Sequence, residues 1–169
     1  SAIVMIGMSS SSPGLIKNRV DFEVRIGSRI LGDFVVTKQS LGDREDFVIE
    51  QIIEDGLLHK SKVHYRVHSQ YKGAQLQVME MQNIVDEVVL QSTDLLLKEG
   101  MYHLKTDLGS IHVPVADMAA GSAYIFFEEP SDWTSIFHEK YGQVLSIEQT
   151  SDHVYEVALP NGGREVYSY

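Results

Sequence analysis

The sequence predicts an all-β protein: an antiparallel meander of about nine to eleven strands curled into a barrel, half-barrel or sandwich, with at most one or two short helices. Three observations carry this expectation. Apolar and polar residues alternate with a period of two from Asn18 onward, which is the pattern of half-buried strands. Glycines and turn dipeptides interrupt the alternation at nearly every junction, as short hairpin connections require. Sustained helical periodicity is scarce, and no linker or charge run divides the chain.

The elements follow in order. In VDFEVRI, Val20, Phe22, Val24 and Ile26 fall on one face and Asp21, Glu23 and Arg25 on the other. Gly27-Ser28 suits a type II′ turn, and RILGDFVVTK returns from it. DFVIEQII follows a turn at Leu41-Gly42-Asp43, and KVHYRVHSQY follows Gly56 with Val63, Tyr65 and Val67 on one face. AQLQVMEM follows Lys72-Gly73. Val85, Val88, Val89 and Leu95 to Leu97 cluster as a helix face would, but their β-branched content and their place between strands favour extended chain. MYHLKT and SIHVPV flank a turn at Asp107-Leu108-Gly109. VADMAAGSAY has the small residues of a short helix or wide turn, and Tyr124 to Phe127 reads as a strand ending in a polar corner, Glu128 to Asp132. SDWTSIFHEKYG reads as one or two helical turns from Ser131 or Asp132 to Gly142, with Trp133, Ile136, Phe137 and Tyr141 covering one end of the core. QVLSIEQ and VYEVAL surround Thr150-Ser151-Asp152, and the last hairpin turns at Asn161-Gly162 into REVYSY.

Composition bounds the function. A chain of 169 residues suits a single core. Its formal net charge of -10 repels nucleic acid and anionic surfaces at long range, which argues against a duplex-binding role. The absence of cysteine excludes disulfides, thiolate metal sites and cysteine nucleophiles. The apolar run SAIVMIGM, followed at once by SSSSPG, resembles the end of an export signal and is too short to span a bilayer. Residues 1–17 are therefore expected to be a signal remnant and flexible lead, and residues 18–169 a single β domain whose last strand is cut short at Tyr169.

No catalytic motif reaches the strength needed to name a reaction. His138-Glu139 opens a zinc-protease signature, but Gly142 stands where the second histidine belongs. His64 and His68 lie about 13 Å apart along a strand and cannot share one ion. No metal or cofactor is expected. Glu128 and Glu129 point to opposite faces of an extended chain and form no carboxylate pair by themselves. Between Gly56 and Met79 there is no acidic residue, and His64, Arg66 and His68 share one strand face. That basic stripe, with Trp133 and Tyr141 as an amphipathic lip, is the candidate ligand-binding set.

The segments AYIFFEEP, IFHEKYGQVLSIEQ and HVYEVALPNGGREVYSY, after an alternating opening strand and IGSRILGDFVV, resemble an uncharacterised family of exported all-β proteins from Gram-negative bacteria, a domain of unknown function. The similar region runs from about Asn18 to Tyr169. The resemblance implies a signal peptide, a periplasmic or secreted location and a strongly curved antiparallel sheet, and it implies no activity.

The expected function is non-enzymatic binding at the cell envelope of an amphiphile of lipid or fatty-acid type, or of an envelope protein, by a chain that does not span the membrane. Two alternatives stand beside it: a hydrolase-like enzyme using Glu128 or Glu129 with His138, and a purely structural interaction module.

Overall fold

The computed structural model describes residues 4–12, 15–26, 29–55, 61–114 and 121–169. The turn expected at Gly27-Ser28, the glycine at position 56 and the first part of VADMAAGSAY lie outside them. Among the described residues there are thirteen strands: β1 (Val4–Ser12), β2 (Leu15–Ile26), β3 (Arg29–Leu41), β4 (Arg44–Asp55), β5 (Ser61–Lys72), β6 (Gln75–Val85), β7 (Val88–Lys98), β8 (Met101–Thr106), β9 (Gly109–Pro114), β10 (Ser135–His138), β11 (Gln143–Ser151), β12 (Val154–Ala158) and β13 (Arg164–Ser168). A 3-10 segment, Ser122–Phe126, precedes β10.

The first nine strands form one antiparallel sheet in chain order, and the last four form a second, also in chain order. The fold is thus all-β, as the alternation and short turns predict, and of the barrel, half-barrel and sandwich left open by the sequence the closed barrel is not formed: there are two sheets and neither closes. The count exceeds the expected nine to eleven partly because Val4–Ser12 pairs with β2, Met8 opposite Arg19, and partly because Ser135–His138 is a strand.

Register stacks the apolar alternates into rows. Val20 faces Val36, Val36 faces Ile49, Ile49 faces Val67, and Val67 faces Met81. A one-residue slip of any strand would turn its row to solvent, so burial fixes the pairing. The next row runs Phe47, Ser69, Met79, Leu95, Leu104. Against these rows pack Ala123, Tyr124 and Phe137, with Phe126, Phe127 and Trp133 partly buried among them. On the far side of the 3-10 segment Ile125 joins Ile136, Leu145, Ile147, Tyr155 and Val157 in a second cluster.

Two local expectations are corrected by this packing. Tyr124 to Phe127 is not a strand: Tyr124 to Phe126 end the 3-10 segment and Phe127 is its C-cap. Its side chains must supply both clusters at once: Tyr124 and Ile125 turn to different cores, and Phe126 touches Phe22, Phe34 and Tyr167. SDWTSIFHEKYG forms no helix; Ser135 to His138 pairs with Gln143 to Ser146. There Ile136 and Phe137 point alternately into the second and first clusters, a use of period two that a helix cannot make.

Candidate functional site

Where the 3-10 segment and the β10–β11 turn meet the long sheet, polar side chains are sealed between the two cores. Glu139 is 1% exposed and His138 6%. Ser122 Oγ donates to Glu139 Oε2, while Glu139 Oε1 and the nearby Tyr71 hydroxyl have no hydrogen-bond partner. Both approach Gly121 so closely that a Cβ there would lie 1.8 Å from the Tyr71 hydroxyl and 3.3 Å from Glu139 Oε1. Burial raises the Glu139 carboxyl above the usual range against the pull of Ser122 and His138. Burial also raises the Tyr71, Tyr65 and Tyr167 hydroxyls well above theirs, with the Glu139 charge adding to each. His138 Nε2 lies 3.3 Å from Glu165 Oε1, and the Tyr167 hydroxyl donates to Glu165 Oε2 at 2.7 Å. Burial works to raise the Glu165 carboxyl, but His138, Tyr167 and Lys140 outweigh it and hold it low.

This seam contains a serine, a histidine and two carboxylates, yet they are partnered two by two. Ser122 pairs with Glu139 and His138 with Glu165. A nucleophilic site needs the hydroxyl on the base and the base on its orienting carboxylate. The Ser122 bond instead ties the 3-10 segment to the β10–β11 turn and the Glu165 contact ties β10 to β13, while Gln91 of β7, whose Nε2 donates to the Lys140 carbonyl at 2.6 Å, joins the small sheet to the large one.

The residues singled out from sequence go to separate places. His64, Arg66 and His68 do share one face of β5, opposite the buried Val67, Ser69 and Tyr71. Acids of the neighbouring strand meet them: Glu50 lies 3.9 Å from His64 and 3.7 Å from Arg66, and Asp46 lies 3.9 Å from His68. Trp133 packs against both cores and Tyr141 against the second, so the aromatic pair belongs to the seam and the basic stripe to the outer face. Glu128 lies 3.7 Å from Lys38. Glu129 accepts from His153 Nδ1 at 2.9 Å and from the Tyr155 hydroxyl at 2.8 Å. These two bonds hold the Glu129 carboxyl below its usual range and, reciprocally, Glu129 raises the His153 imidazole. His138 has turned to Glu165, so neither glutamate gathers with it.

Open surface offers two further features. A hollow of about 290 Å3 lies beside the β3–β4 and β5–β6 turns, lined by Asp43, Arg44, Gln70, Tyr71, Lys72 and Gln77. The opposite end of the long sheet is aliphatic. Ile30 is 52% exposed, Val88 58%, Val89 50%, Leu90 61% and Leu108 fully exposed. They sit toward the β2–β3, β6–β7 and β8–β9 connections, which a meander brings to one end. The sheet also steps there. β8 pairs with β7 only from Thr93 to Lys98, so Val88 to Gln91 reach past it with no strand paired on that edge among the described residues. At the foot of the step Asp107 accepts from the Ser92 backbone amide at 3.0 Å. Sequence reasoning weighed Val88 and Val89 only as helix face or extended chain and passed over this end; the run of three aliphatics, Val88 to Leu90, without alternation was the available signal.

No curated protein and no solved structure matches the chain. One family model does, over residues 22–169, and its description is a domain of unknown function (DUF6134).

Proposed function

The chain belongs to that family of unknown function, and from this premise we propose that the protein is a non-enzymatic, exported binding module of the cell envelope that takes an amphiphile of lipid or fatty-acid type. The observation that carries the reading is the aliphatic end of the long sheet, where Ile30, Val88, Val89, Leu90 and Leu108 stand half or more exposed. Exposed aliphatics grouped this way mark an interaction surface. The core face itself is filled by Tyr124, Phe126, Phe127, Phe137 and Trp133, so the amphiphile lies along the stepped end and not inside the fold. The envelope location rests on the apolar Ser1 to Met8 run and on the resemblance to exported proteins. The dispersal of Glu128, Glu129 and His138 among different partners weighs against the hydrolase alternative.

The edge of Val88 to Gln91, unpaired on the β8 side among the described residues, favours a second reading, in which a partner protein adds a strand beside β7. Native mass spectrometry with organic extraction, on protein purified without detergent from an envelope fraction, separates the two. A stoichiometric lipid that is lost in a Val88→Asp/Leu90→Asp variant is the expected result. Wild-type protein that is empty and monodisperse overturns the amphiphile reading. Co-purification of a defined protein, lost in the same variant, replaces it with strand addition.

A further inference from the structure

We propose that His103 and His112, on the outer face of the β8–β9 hairpin, form a copper site with the Met101 thioether beside it. The two histidines are directly opposed across the strand pair, and their rings stand edge to face with centroids 4.4 Å apart. Both are exposed. Neither imidazole has a hydrogen bond or ion pair with another described residue, so both ring systems are free to turn their nitrogens outward. Imidazole nitrogens bind first-row ions at about 2.0–2.1 Å, and directly opposed strand residues, with Cβ atoms about 4.5–5.5 Å apart, place two rings within reach of one ion. This differs from His64 and His68, which are spaced along a single strand.

The hairpin holds the pair in place. Leu96 of β7 lies opposite His103 on the other side and gives the site an apolar flank. The turn beyond is tied by Asp107 to Ser92 and by the Leu108 amide to Thr106 Oγ1 at 3.2 Å. One step along the same face, Lys105 is opposite Asp94, so the neighbouring charges balance.

The donor set selects the ion. Among the described residues no group of three or more histidine or carboxylate side chains could enclose a metal, so a closed tetrahedral zinc site is not available. Met101 lies two residues before His103 and therefore on the same face; it is opposite Pro114 and diagonal to His112, within the reach of a long side chain. It is partly exposed, at 36%. Two imidazoles with water suit Cu(II), which heads the affinity order of the divalent first-row ions, and an adjacent thioether suits Cu(I).

The test is titration of the full chain with copper sulfate, read by electron paramagnetic resonance, together with Cu(I) competition against a chromogenic chelator under reductant. Wild type is expected to show coupling to two nitrogens. His103→Ala and His112→Ala should each lose that spectrum with far-UV circular dichroism unchanged, and His64→Ala should keep it. Met101→Leu should retain the Cu(II) spectrum and release Cu(I) to the chelator more readily. A wild-type spectrum without two-nitrogen coupling, or one unchanged in both histidine variants, overturns the site. Unchanged Cu(I) retention in Met101→Leu overturns the role of the thioether.

Discussion

Glu139 holds its carboxyl between the two sheets with one oxygen accepting from Ser122 and the other unpaired. Because burial lifts its pKa in the folded protein, the stability it permits is fully present below the unfolded pKa and is lost as pH rises through the folded one. Glutamine keeps the shape and an oxygen for Ser122 but cannot ionise. Glu139→Gln should therefore gain stability relative to wild type as pH is raised from 4 to 8, measured as the difference in urea midpoints at each pH. A constant difference would show that the carboxyl does not titrate in the fold. The opposite sign holds at Glu165, whose lowered pKa gives stability above the unfolded pKa that is lost on acidification; comparison of the single variant with wild type cancels that contribution. The wish to read His138 and Glu139 as chemistry came from their adjacency, but their partners come from Glu165 and Ser122, which no local pattern reveals.

The β6–β7 hairpin is the element whose turn the sequence hid. Asp86 and Glu87 both take left-handed φ, 48° and 69°, as a type I′ turn requires at its two central positions. Neither is glycine or asparagine. Asp86 has a reason to be there: its carboxylate accepts from the Lys62 amide at 2.8 Å and from Ser61 Oγ at 3.0 Å, tying the hairpin to the start of β5. Glu87 makes no such bond and bears the steric cost of a left-handed conformation alone. Glu87→Gly should stabilise the protein by up to about 1 kcal/mol, whereas Asp86→Ala should destabilise it by about 1 kcal/mol. Thermal unfolding of the two variants checks both signs. Elsewhere turn legibility followed turn chemistry: Gly42, Gly73 and Gly162 have left-handed φ of 64°, 57° and 81°, and each lies in a turn the sequence marked. The 3-10 segment and β10 escaped because their burial answers to two cores, and an aromatic run such as Tyr124 to Phe127 has no period that distinguishes a strand from a bridge.

Across the whole molecule the two sheets are joined by contacts that leave no slack at Gly121. Its backbone is extended, φ −72° and ψ 153°, so any residue could adopt it; what demands glycine is the Tyr71 hydroxyl, 1.8 Å from where a Cβ would stand. Tyr71 is 1% exposed and cannot swing away. Gly121→Ala should cost about 1–3 kcal/mol, and adding Tyr71→Phe should recover part of it, because the next nearest atom of that ring lies 3.2 Å away and the deleted hydroxyl has no partner to lose. Trp133 packs on both cores, so its fluorescence and the far-UV circular dichroism should lose structure in one coincident transition in each variant. Separate transitions would mean that the sheets fold independently.

By itself the sequence determined that the chain is all-β, where most strands run and which face each residue takes: Val67 inward, His64, Arg66 and His68 outward. The reason is that alternation along a strand is local, set by backbone geometry and by the apolar character of every second residue. Even the His103–His112 pair was within reach, since both lie equally far from the Asp107-Leu108 turn. Only the tertiary structure decided what stands across from each residue beyond its own hairpin. It gave Glu50 and Asp46 to the basic stripe, Glu165 to His138 and Ser122 to Glu139, and among the described residues it left the edge of Val88 to Gln91 away from β6 without a paired strand because β8 is shorter than β7. Those outcomes depend on strand lengths, bulges and the crossing of a second sheet, whose effects add over the whole chain and are written in no single stretch of it.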